Sequence, residues 1–149
     1  MPIISENKKA YFEYFIEKEF EAGLKLMGQE VKACKTQGAS LVGSFVRVVK
    51  NEAFVVNVLI PIYKKAGLGV MASYDPKRSR KLLLRKEEID AITGAQSRKG
   101  YTVVPLKLYT DNALIKIKIG IGRGKKLYDK REELKKRQLI REQARETGV

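Results

Sequence analysis

Apolar and polar residues alternate along the chain from Tyr14 to Leu26. Tyr14, Ile16, Phe20, Ala22, Leu24 and Leu26 share one parity, while Glu17, Glu19, Glu21 and Lys25 share the other. Lys18 is the one charged break on the apolar side. A period of two over this length predicts a long strand, with Gly23 marking a bend or bulge. The glycine-bounded segment "GQEVKACKTQG" (28–38) fits a two-turn helix with Val31 and Cys34 on one face. "SFVRVVKNEAFVVNVLIPIY" (44–63) reads as a hairpin, two β-branched runs around the turn Lys50-Asn51-Glu52, with Pro61 ending the second strand. "KKAGLGVMASYDPKRSR" (64–80) has glycine, proline and many cations and reads as a mobile basic loop. "LLLRKEEIDAITG" (82–94) predicts a helix, with Glu87 and Glu88 early, Ile89 and Ile92 on one face and Gly94 as its C-terminal cap.

A second hairpin follows, "YTVVPLKLY" and "ALIKIKIGI", around Thr110-Asp111-Asn112. In its second strand Ala113, Ile115, Ile117, Ile119 and Ile121 face one way, and Lys116 and Lys118 the other. At least five strands, short connections and few helices make this a mainly β chain. The arrangement predicted is a small oligonucleotide-binding-like β-barrel with two or three short helices and a flexible basic C-terminal tail. The barrel is assigned to residues 1–122 and the tail to 123–149.

Composition narrows the function. The chain has 149 residues and 44% hydrophobic residues, enough for one modest core. Its formal charge is +14, from 31 basic and 17 acidic residues. That excess favours polyanionic partners, nucleic acid first and an anionic membrane second. There is no histidine and one cysteine, Cys34. Imidazole general bases, Ser-His and Cys-His nucleophile pairs, thiolate zinc clusters and internal disulfides are thereby excluded. No apolar run has a membrane-spanning length, and "MPIISENKKAYFEYF" lacks the layout of a signal peptide. A reducing cytoplasm is the expected compartment. No cofactor, metal or small-molecule substrate is expected, and a monomer is.

From Arg123 onward ten basic and five acidic residues give the tail a net +5, and its apolar residues form no continuous stripe. Pairs such as Glu132/Lys136 and Glu133/Arg137 favour helix by only about 0.2–0.5 kcal/mol each. Ordering a residue costs about 1–2 kcal/mol. The tail is therefore expected to be disordered when free and to fold on a polyanion. "GIGRGKK" lacks the G-x-x-x-x-G-K-[ST] spacing of a phosphate loop and reads instead as a glycine-rich hinge.

Four cations lie within "DPKRSRK" (75–81): Lys77, Arg78, Arg80 and Lys81. In a flexible loop they suit phosphate contact. Glu17, Glu19 and Glu21 read either as a solvated strand face or as acceptors for base and ribose donors. Lys116 and Lys118 read as a solubilising face or as phosphate contacts. Tyr128, an aromatic among cations, has the make-up of a base-stacking position.

Several segments, in this order over most of the chain, resemble one family. They are "NKKAYFEYFIEKEFEAGLKLMGQEVKACK", "YDPKRSRKLLLRKEEI", "GYTVVPLKLY", "KIKIGIGRGKKLYDKR" and the charged tail. The resemblance is to the SmpB, or SsrA-binding protein, family. It implies a non-enzymatic protein that binds the tRNA-like domain of transfer-messenger RNA and enters ribosomes stalled on messages without a stop codon. There translation switches to the RNA's own reading frame. By the same resemblance Asn7, Glu21, Leu83 and Lys116 face the RNA. Gly124, Lys125, Tyr128, Asp129, Lys130 and Arg131 meet the small-subunit decoding centre and message channel, with Tyr128 stacked on a ribosomal base. The histidine expected just before Pro-x-Tyr is absent from "NVLIPIYKKAG". The rival readings are another basic β-barrel ribosomal protein or translation factor, and an enzyme acting on RNA. The enzyme reading calls for a carboxylate cluster or metal site that the sequence does not offer.

Overall fold

The structure is a computed structural model that describes residues 2–125, 131 and 134–141. In chain order the elements are β1 (Ile3–Glu6), α1 (Lys8–Glu13), β2 (Tyr14–Leu24), α2 (Gly28–Thr36), β3 (Phe45–Val49), β4 (Glu52–Val56), α3 (Leu68–Ser73), β5 (Arg80–Leu83), α4 (Lys86–Gln96), β6 (Tyr101–Asp111) and β7 (Leu114–Gly124). All pairings are antiparallel, in the order β1-β6-β7-β2-β5-β4-β3. The sheet curls until β3 packs beside β6, and α4 is tied to β3 by the Gln96 side chain, which donates to the Val46 carbonyl at 2.8 Å. This is the expected mainly β, barrel-like fold.

Both hairpins form, though β4 ends at Val56 and not at Pro61 as predicted, and both turn on two residues with positive φ, the conformation that matches the strand twist. In the first these are Lys50 (51°) and Asn51 (63°); in the second they are Asn112 (47°) and Ala113 (71°). The second turn thus lies one residue later than predicted, and Ala113 belongs to it rather than to the apolar face of β7. The four isoleucines that remain on that face, Ile115, Ile117, Ile119 and Ile121, are buried. They meet Phe20 and Ala22 of β2, Val103 and Leu108 of β6, and Ile92 and Ala95 of α4 in the main core. The helix predicted over 82–94 is shifted: Leu82 and Leu83 belong to β5, and α4 starts at Lys86 and runs through Gly94 to Gln96, so Gly94 is inside the helix and Ser97 is the cap.

Strand β2 departs from simple alternation. Ile16 pairs with Gly122 but Lys18 pairs with Ile121, so Glu17 is an extra residue in a bulge. The bulge reverses the facing of all that precedes it. Phe20 and Ala22 point into the main core, whereas Tyr14 and Ile16 lie on the opposite face. There they form a second small core with Ala10 of α1 and with Val104 and Leu106 of β6. Glycines of β7 floor this second core: a Cβ on Gly120 would stand 2.8 Å from Leu106 Cδ1, and one on Gly122 would stand 2.8 Å from Tyr14 Cβ. "GIGRG" is accordingly strand, not hinge. Its glycines leave room for the side chains of Tyr14, Ile16 and Leu106, and β7 continues to Gly124.

The segment expected to be a mobile loop is also built in. It carries α3, and its last residue, Arg80, opens β5. Among the described tail residues, Arg131 and 134–141 are helical and exposed. Arg137 places its guanidinium 5.3 Å from the Phe12 ring of α1. No helix among the described residues is long and apolar enough to cross a membrane.

Candidate nucleic-acid interface

The outer face of β2, β6 and β7 is polar because the pleat that sends isoleucines inward sends their neighbours out. Across this face acids and bases pair. Lys116 Nζ lies 3.0 Å from Glu21 Oε1 and 3.7 Å from Asp111 Oδ2, and Lys118 Nζ lies 3.6 Å from Glu19. Arg123 Nε stands 3.9 Å from Glu17. Tyr109 donates its hydroxyl to the other oxygen of Glu21. That bond first, and Lys116 after it, hold the Glu21 carboxyl below the usual carboxylate range. Burial and then the bond to Glu21 push the Tyr109 hydroxyl far up, so it remains a donor. The Glu21 bond likewise raises Lys116. Glu21 is therefore a fixed, charged acceptor at neutral pH, and its negative charge is locally balanced.

Beside it β2 hands its pairing from β7 to β5. Gly23 is opposite both Lys116 and Leu83, and a Cβ there would lie 3.3 Å from Leu83 Cδ1. The close crossing opens a groove lined by Glu21, Lys116, Leu83, Lys81 and Arg85. Leu83 is 56% exposed, a large apolar side chain held over a charged groove. Lys81 reaches Glu52 of β4 at 3.3 Å. Of the residues predicted to face RNA, Glu21, Lys81, Leu83 and Lys116 converge here from three strands.

The other predicted cations separate. Arg80 is fully buried. Its Nε donates to Glu30 Oε2 at 2.7 Å, its Nη1 to the Val58 and Arg78 carbonyls, and its Nη2 to Tyr74 Oη and the Pro76 carbonyl. This corrects its expected role: every nitrogen is engaged inside the protein, and none is left for a phosphate. Arg78 is half-buried and turns inward too, pairing with Glu30 through both Nη2 and Nε. Burial pushes the Glu30 carboxyl up, but donors from Arg78, the Met27 backbone and Arg80 outweigh it and leave it below its ordinary value. Glu30 of α2 is thus an anchor for the basic segment, and the sequence reading passed over it. Lys77 is exposed, its backbone N–H held by Asp75 Oδ1 at 3.0 Å.

Asn7 lies beside the middle of β6 and is the N-cap of α1. Its Oδ1 accepts from the Ala10 N–H at 3.2 Å, and its Nδ2 donates to the Pro105 carbonyl at 3.0 Å. These two bonds position α1 against β6. Gly124 and Lys125 leave the barrel beside the C-terminal end of α1 and the start of β6. The Gly124 N–H donates to the Gly100 carbonyl at 3.0 Å and the Lys125 N–H to the Glu13 carbonyl at 2.9 Å. Arg123 and Lys125 flank the Phe15 ring at 4.9 and 5.0 Å. Tyr128, Asp129 and Lys130 lie outside the described residues.

A small basic barrel with a groove of fixed acceptor, cations and exposed leucine defines a nucleic-acid-binding protein of the oligonucleotide-binding-like class. The sequence profile of the family described as "SmpB protein" matches residues 4–148. An SsrA-binding protein of Thermoanaerobacter pseudethanolicus is 47% identical over 135 residues, covering 91% of this chain and 85% of that one. Another, of Fervidobacterium nodosum, is 48% identical over 139 residues, covering 93% and 91%. A chain in the solved structure described as "tmRNA-SmpB: a journey to the center of the bacterial ribosome" superposes with a TM-score of 0.70. It is 37% identical and covers 90% of this chain and 95% of that one. The chain belongs to the SmpB family. It is an RNA-binding protein and not an enzyme.

Proposed function

We propose that this protein binds the tRNA-like domain of transfer-messenger RNA and delivers it to stalled ribosomes for trans-translation, in the cytoplasm and as a monomer. The observation that carries the reading is the convergence of Glu21, Leu83 and Lys116, distant in sequence, on one open groove. Each supplies what an RNA surface needs. Glu21 accepts from base or ribose donors, Leu83 offers an apolar contact and Lys116 meets phosphate. The SsrA-binding name of relatives at 47% and 48% identity supports the choice of RNA.

Labour divides along the chain. The barrel grips RNA through the groove, aided by Lys81 and by exposed Lys77, while Arg78 and Arg80 shape the segment that carries them. The tail, with Gly124, Lys125, Tyr128, Asp129, Lys130 and Arg131, reads the decoding centre and message channel of the small subunit and becomes helical there. The test is to recover the protein from its own cells and sequence the RNA bound to it. Transfer-messenger RNA should dominate. Constitutive ribosomal RNA without it would favour the ribosomal-protein reading.

A further inference from the structure

We propose that Lys107 of β6 and Lys118 of β7 form a second phosphate-binding subsite on the outer face, next to the Glu21 groove, and that it takes a phosphodiester of the RNA backbone. The proposal rests on the RNA-binding reading above and extends its footprint along the sheet.

Three observations carry it. Lys107 and Lys118 are register partners across the β6–β7 ladder. Like charges directly opposite on one face of an antiparallel pair repel, so an anion between them relieves a cost that the free protein carries. Lys118 has Glu19 at 3.6 Å, but no carboxylate among the described residues lies within ion-pair distance of Lys107. Glu6, its register partner on the β1 side, makes no such pair. The two lysines share a concavity with Glu21, Tyr109 and Ile3. Since Lys116 and Tyr109 already engage Glu21, its charge does not bar an anion from that concavity.

The second lysine reaches this face only because β6 is bulged. Pro105 pairs with Ile119 and Lys107 with Lys118, so Leu106 is an extra residue. Simple alternation from Val103 and Pro105 would send Lys107 into the core; the bulge turns it out. Asn7 clamps that bulge at both carbonyls, with its backbone N–H on Leu106 O at 2.8 Å and its Nδ2 on Pro105 O at 3.0 Å. Asn7 is then a positioning residue for the phosphate contact as well as the cap of α1. Two lysines act as point charges and read no base, so the subsite fixes the register of the RNA on the sheet and leaves sequence preference to other contacts.

The test measures binding of the full-length protein to a fragment of transfer-messenger RNA that holds its tRNA-like domain, over a series of potassium chloride concentrations. Lys107→Met keeps the half-buried stem without the charge, Lys107→Gln provides a second neutral side chain, and Lys107→Arg restores the charge. The neutral variants should flatten the slope of log affinity against log salt by about 1, the effect of one lost phosphate contact. The arginine variant should recover it. An unchanged slope in Lys107→Met and Lys107→Gln, with parent binding intact and Glu21→Ala weakened, would overturn the subsite and leave the RNA reading standing. Absence of binding by the parent protein would overturn both.

Discussion

Glu30 and Arg80 form an ion pair with both side chains at 0% exposure, Arg80 Nε donating to Glu30 Oε2 at 2.7 Å. They come from α2 and the first residue of β5, so the pair ties the basic segment between them to the barrel. Arg78 and Tyr74 add further bonds to the same carboxylate. The segment that looked like a loop free to wrap RNA is held in one shape before RNA arrives.

Glu30→Gln leaves Arg80 buried without its counter-charge and should destabilise the fold by about 3–5 kcal/mol, read as the midpoint shift in urea denaturation. The carboxyl is depressed in the folded state. Its stabilisation is therefore present above the unfolded value of 4.5 and lost as pH falls below that through the lower folded value. The parent should lose stability in that acid window, and Glu30→Gln should lose less there. Parallel pH curves for the two proteins would contradict this assignment.

Gly122→Ala tests the second core. The new Cβ would lie 2.8 Å from Tyr14 Cβ, a position near the backbone of β2 that cannot swing away. We expect a loss of about 1–3 kcal/mol from overpacking, measured by thermal denaturation. A phosphate-loop or hinge role for these glycines predicts no such loss.

The triple substitution of Asp129, Lys130 and Arg131 by Ala, in the full chain, separates tail from barrel. It leaves most of the tail's cations in place. Binding of the tRNA-like domain should remain within about twofold, while tag addition on reconstituted stalled ribosomes should be lost; the retained affinity is expected because Glu21, Leu83, Lys116 and eight of the ten basic tail residues are unchanged. Normal tagging would remove the decoding-centre role from this motif.

Much of the fold was legible in the sequence, because period-two runs and their turn residues are local signals. The isoleucines of β7, the two hairpins and helices α2 and α4 follow from such patterns. The bulges at Glu17 and Leu106 do not. A single added residue inverts every side chain beyond it, and the only trace of the first was Lys18 on an apolar parity. The burial of Arg80 was also hidden. A run of cations beside glycine and proline reads as solvated surface, and the carboxylate that draws Arg80 inward lies 50 positions away on another element. Glu21 and Lys116 were legible as candidate RNA contacts from strand parity and charge, with a solvated face as the competing reading, whereas Leu83 was legible through the family resemblance alone. Their meeting in one groove depends on the β2 crossing at Gly23; the glycine marks a bend locally, but the strands that it brings together are set by long-range pairing.

The most direct test of the central claim is the affinity of full-length Glu21→Ala for the tRNA-like domain of transfer-messenger RNA, measured by gel shift against excess competitor tRNA. Removing a negative charge from a protein of +14 would strengthen a purely electrostatic grip on RNA. If Glu21 is instead a fixed acceptor in the groove, the variant should bind about tenfold or more weakly, as expected when a charged hydrogen-bond acceptor is lost, and the parent complex should survive the competitor. Equal or tighter binding by Glu21→Ala would contradict the groove as the RNA site.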